Sequence, residues 1–124
     1  MNKLETQSIN RELEKLEGIS DVIGIALVNR NGLLVSSRLP RDVDDRKFCA
    51  MAATMFGAIE TAASTIESNI VDNLTVEFSD FHLLIMEANE HMILVSLTNS
   101  NINLGLFFIE IEEIIKNIKR ILSR

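Results

Sequence analysis

Few residues in this chain could carry chemistry: His82 and His91, the single cysteine Cys49, the pair Ser36-Ser37, and a scatter of carboxylates. An imidazole serves as a base or a metal ligand only when a second group is held at a fixed offset from it. Neither histidine has such a neighbour at a recognisable spacing. Glu87-Ala88-Asn89-Glu90-His91 faintly echoes an inverted zinc motif, but that motif needs one helix to aim its ligands, and here the residues straddle a strand end and a turn. Cys49 falls among apolar residues with no base in sequence reach, so it reads as a small core residue. Ser36-Ser37 lacks a glycine-flanked elbow, and neither Gly24 nor Gly105 stands in a phosphate-binding glycine pattern. Met51, Met55 and Met86 read as core filler, not as soft-metal ligands. The expectation is a protein with no catalytic residue, no metal and no cofactor.

Composition narrows the class. The 124 residues are read as one domain, 1–124, with 47% hydrophobic residues and a single proline, enough for a proper core. Twelve basic against eighteen acidic residues give a net charge of −6. No cluster of Lys and Arg interleaves with aromatics, which argues against nucleic acid as a partner. The charged N-terminal stretch has no apolar core of the signal-peptide kind, and the apolar run from Leu104 to Ile115 is too short and too interrupted by Glu to insert into a membrane. A lone cysteine forms no intrachain disulfide, consistent with a reducing, cytoplasmic setting.

The stretch around which the remaining elements are arranged runs from Asp44 to Ser68 and reads as one long helix with two unlike sides. At about 100° per residue, Phe48, Ala52, Met55, Ile59, Ala62, Ala63 and Ile66 collect on one side, with Met51, Phe56 and Cys49 at its margins. That side is expected to pack on a sheet. On the other, Ala50, Ala53, Thr54, Gly57, Thr61, Ser64 and Thr65 are small and uncharged where a solvated helix ordinarily carries Lys, Glu and Arg. Side chains this short let a second helix approach near the lower end of the roughly 8–10 Å packing range. Ala50, Ala53, Thr54, Gly57, Thr61 and Ser64 are therefore expected at a dimer interface; the competing reading is a surface helix rich in Ala and Thr, or one covered by the chain's own loops. Arg46, Lys47 and Glu60 are the charged residues placed to rim a partner-binding surface.

The remaining elements follow from periodicity. Leu4 to Glu17 reads as a short helix, with Ile9, Leu13 and Leu16 at helical spacing and Gly18 at its end. Val22 to Val28 is apolar on both faces, as a central strand must be when both sides of a sheet are covered. Asn29-Arg30-Asn31-Gly32 supplies a turn into a partner strand, Leu33 to Ser37. Leu74, Val76 and Phe78 alternate with polar residues, the pattern of a one-faced edge strand, whose free backbone groups add Thr75 and Glu77 to the expected interface. Phe81 to Ala88 and Met92 to Thr98 read as interior strands joined at Asn89-Glu90-His91, and Leu104 to Leu122 as a closing amphipathic helix. The order is helix, two strands, helix, three strands, helix, in an α/β (α+β) arrangement.

Gly18-Ile19-Ser20-Asp21-Val22-Ile23-Gly24-Ile25-Ala26-Leu27-Val28, followed by Asn31-Gly32-Leu33-Leu34-Val35-Ser36-Ser37, resembles the opening hairpin of Roadblock domains, the family of dynein light chains, Ragulator subunits and bacterial or archaeal polarity-GTPase regulators. Asn103-Leu104-Gly105 is similar to that family's Asn-Leu-Gly signature before the last helix. The resemblance spans about Gly18 to Leu122 and lies in the order and spacing of loose apolar motifs. It implies a three-layer, Roadblock/profilin-like fold: a five-stranded antiparallel sheet of order 2-1-5-4-3 between helices, with a dimer formed through the central helix and the third strand. It also implies binding to a Ras-like small GTPase. The expected function is thus a non-enzymatic homodimeric regulator or scaffold for such a GTPase; the rival is a small PAS- or profilin-like ligand-sensing module, or a purely structural assembly module.

Overall fold

The computed structural model describes residues 1–67 and 70–123. Helix α1, Lys3–Glu17, begins at a capping box in which the Asn2 side chain accepts from the Glu5 N–H while the Glu5 carboxylate accepts from the Asn2 N–H. Five strands follow the expected order: β1, Val22–Asn29, and β2, Leu34–Arg38, form a hairpin; β3, Leu74–Glu77, β4, Phe81–Glu87, and β5, Met92–Asn99, come after the central helix α2, Asp45–Ala63. Helix α3, Leu104–Leu122, closes the chain. Gly32 takes φ 93° in the β1–β2 turn, a conformation that glycine reaches without steric cost.

All strand pairings are antiparallel, in the order β2-β1-β5-β4-β3. The sheet therefore has β2 and β3 at its edges, and the chain order puts the two most apolar segments, β1 and β5, side by side at its centre. Because successive side chains alternate, the unbroken apolar runs feed two cores. Ile25, Leu27, Leu84 and Leu94 meet Ile9 and Leu13 of α1 and Phe107 and Ile111 of α3 on one face. Ala26, Val28, Leu83, Ile85 and Val95 meet Cys49, Ala52, Ala53 and Phe56 of α2 on the other. Asn117 of α3 donates to the buried Glu12 of α1 at 2.6 Å, and Lys15 pairs with the same carboxylate at 2.8 Å, so the two helices of the first layer are tied at a polar point.

The central helix is shorter than its periodicity predicts. It starts as expected, with the Asp44 side chain accepting from the Lys47 N–H. It ends at Ala63, where the Ser64 and Thr65 hydroxyls donate to the carbonyls of Thr61 and Ala62 and compete with continuation of the helix. Ser68, the expected last residue, lies outside the described residues. Among the described residues, no helix is long and apolar enough to cross a membrane.

Candidate interaction surface

Helix α2 has more apolar surface than its sheet can cover. The residues it buries, Cys49, Ala52, Ala53 and Phe56, centre on an arc turned from the expected one. Phe56, treated in the sequence as marginal, is the main anchor at 1% exposure. Met55 and Ile59, expected in the core, are 38% and 40% exposed, and Met51 is 53% exposed. The reason is the narrow space above β1: small Ala52 and Ala53 let the helix sit close, and one large ring fills the gap that remains. Met51, Met55 and Ile59, spaced four residues apart, consequently form an outward apolar stripe that Phe48 extends at its half-buried end. A hollow lined by Val43, Asp44, Lys47, Phe48 and Met51 continues it past the helix start.

The residues expected at a dimer interface divide. Ala53 is 6% exposed and packed into the chain's own second core, so it is unavailable to another helix. This corrects the expectation for that residue. Ala50 is half-buried and faces the β1–β2 turn, where a Cβ on Gly32 would lie 3.5 Å from its Cα. Thr54, Thr61 and Ser64 are exposed, their hydroxyls donating to the carbonyls of Ala50, Gly57 and Thr61. Among the described residues, nothing outside the helix's own backbone lies within 4 Å of where a Gly57 Cβ would stand. On the edge strand, Thr75 pairs with Leu84 and Glu77 with His82, so both side chains emerge on the α1/α3 side of the sheet, while Leu74 and Val76 join the core on the α2 side.

Of the charged rim residues, Arg46 and Lys47 are exposed, but the Glu60 carboxylate is already held by Arg30. Arg30, a turn residue given no role by its sequence context, also pairs with Glu87 at 3.2 Å and donates from Nε to the Glu90 carbonyl at 2.8 Å. One guanidinium fork thus ties α2 to the turn end of the β4–β5 hairpin, at the last residue of β4 and within the turn itself. The only signal in the sequence was an arginine in a turn with no local carboxylate.

The residues considered for chemistry do not converge. His82 is buried on β4, its Nδ1 without a hydrogen-bond partner among the described residues and its Nε2 3.6 Å from Glu77. His91 is exposed beside Glu90. Burial, helped by Asp45, pushes the Cys49 thiol up to about 11, which keeps it protonated and unreactive near neutral pH. Among the described residues, no group of three or more His, Cys, Asp or Glu could hold a metal ion.

The Roadblock/LC7 domain model matches residues 9–98, most of the chain, from within α1 to the penultimate residue of β5. The chain belongs to the Roadblock/LC7 domain family. A relative, the uncharacterized protein MJ1340 of Methanocaldococcus jannaschii, is 37% identical over 108 residues, covering 87% of this Roadblock/LC7 chain and 91% of the relative. Among solved structures, MglB of Myxococcus xanthus superposes with a TM-score of 0.92 at 22% identity, covering 99% of this chain and 93% of that one. An MglB with a tetrameric arrangement gives a TM-score of 0.89 at 16% identity, covering 98% and 92%. At these identities the structural likeness establishes the Roadblock/LC7 fold, five-stranded order included.

Proposed function

We propose that this Roadblock/LC7 chain is a non-enzymatic, cytoplasmic homodimer that regulates or scaffolds a Ras-like small GTPase. The observation that carries the reading is the exposed stripe of Met51, Met55 and Ile59 on α2, on the sheet face that also holds Leu74 and Val76 of the unpaired edge strand β3. Exposed apolar side chains on α2 and free strand-edge groups on β3 each cost free energy in water, and a second copy related by a two-fold axis is proposed to cover them. The dimer contact is accordingly shifted from the small-residue arc to the apolar stripe, with Ala50, Thr54, Gly57, Thr61 and Ser64 at its flank and Thr75 and Glu77 where the two β3 edges meet.

That shift leaves the small, uncharged arc of α2, with Arg46 and Lys47 at its start, as the surface offered to the GTPase. The family resemblance supports the choice of partner. To read a nucleotide state, the dimer must bind the GTP and GDP forms with different affinity. Titrating a cognate GTPase, loaded with GDP or with a non-hydrolysable GTP analogue, against the purified chain tests the reading. A measurable difference between the two forms supports it; equal affinities remove the switch-reading role, and no binding to any GTPase of the source cell sinks the proposal.

A further inference from the structure

On the opposite side of the sheet, α3 presents a second surface with an internal charge pattern. Leu106 and Ile109 are 58% and 64% exposed on its outer side. The same outer side carries Glu112 and Glu113 in the middle of the helix and Lys116, Lys119 and Arg120 in its last turns, all exposed. None of these five charges forms an ion pair with another described residue, although Glu113 and Lys116 stand three residues apart. The helix dipole accounts for the basic end. It does not account for the acids, since the first turn holds none, and it says nothing about two large aliphatic side chains in water.

An antiparallel copy of the same helix would give Ile109, Glu113, Lys116 and Arg120 partners together. We infer that the outer face of α3 is a second self-association surface, on which another copy of this chain seats antiparallel about a two-fold axis passing at the level of Ile114 and Ile115. That register sets Glu113 against Lys116 of the second copy and Ile109 against the aliphatic stem of its Arg120, and symmetry repeats both contacts. The two halves of the strip are complementary only in this direction; a parallel pairing would set acid against acid and base against base. Because α2 lies on the far side of the sheet, the contact is independent of the proposed α2 dimer. With both in place, the chain assembles as a dimer of dimers.

Sedimentation velocity on the full chain, over a range of concentration at low and high salt, reads the assembly directly. The expected result is a concentration-dependent doubling of mass beyond the dimer that weakens on adding salt, because the bridging charges lie at the surface. In the Met55→Arg background the same association should appear as monomer to dimer, which separates its failure from that of the α2 contact. Glu113→Lys and Lys116→Glu should each weaken it by roughly tenfold or more through like-charge contact. An equimolar mixture of the two variants should restore it, because each then meets its complement across the axis. A purely structural effect of either substitution would not be rescued by mixing. Assembly that is unchanged by Ile109→Ser and by both reversals, or a wild-type chain that shows no association surviving Met55→Arg, overturns the inference.

Discussion

The guanidinium of Arg30 lies over the ring of Phe56, with its central carbon 5.6 Å from the ring centroid. The contact joins a turn of the sheet to the one large side chain by which α2 is anchored, while the same guanidinium holds Glu60 and Glu87. Partial desolvation strengthens both the stacking and the ion pairs. Arg30→Ala should lower stability by about 1–2 kcal/mol, from loss of stacking and of a partly buried charge pair, or roughly 4 °C in Tm per kcal/mol. Arg30→Lys should recover less than half of that, since a point charge cannot both stack and engage two carboxylates. Thermal denaturation checks this; a lysine variant as stable as wild type would show that charge alone matters.

Two glycines should respond in opposite directions to alanine. A Cβ at Gly24 would stand 2.8 Å from Leu39 Cδ2 and 3.0 Å from its Cα, where the end of β2 crosses close to β1. Gly24→Ala should therefore cost about 1–3 kcal/mol as backbone and side chain are pushed apart. At Gly57 the space is open and the backbone is helical, so Gly57→Ala should stabilise by about 0.5–1 kcal/mol. Urea denaturation of the two variants would reveal either sign being wrong.

The proposed dimer contact makes a prediction that separates two faces of one helix. Met55→Arg places a charge in the apolar stripe and should abolish the α2 dimer, leaving a folded monomer by light scattering at concentrations below those of the α3 association, whereas Gly57→Arg, on the flank, should keep the α2 dimer and lose affinity for the GTPase. Circular dichroism of both should match wild type, because neither residue is buried in the core. Dimer loss in Gly57→Arg with retention in Met55→Arg would return the contact to the small-residue arc.

Cys49 gives a pH dependence of defined sign. Its folded thiol is held up to about 11 against an ordinary 9.0, so the folded state retains the proton where the unfolded chain releases it. The contribution to stability is fully present below pH 9 and declines as pH rises from 9 towards 11. The stability difference between wild type and Cys49→Ala should thus be flat at neutral pH and shift against wild type in that window. Below it, a thiol reagent should modify the native chain only through opening; stoichiometric modification without unfolding would show the thiol to be accessible.

The hydrophobic pattern by itself determined the eight elements and their order. Runs such as Val22 to Val28 and Met92 to Thr98, with apolar residues on both faces, required helices on both faces of one sheet, because only a doubly covered strand can bury successive side chains. Alternation in Leu74 to Phe78 likewise marked an edge strand, found as β3 at Leu74–Glu77. The direction in which α2 faces was not determined this way. Its sequence carries apolar residues around more than half the circumference, so periodicity allows several orientations, and the choice fell to shape: Ala52, Ala53 and Phe56 fit the space over β1 and β5, while Met55 and Ile59 were turned outward. The Arg30 clasp was equally hidden. Its partners Glu60, Glu87 and Glu90 are 30 to 60 residues away along the chain, and only tertiary folding brings them within reach of one guanidinium.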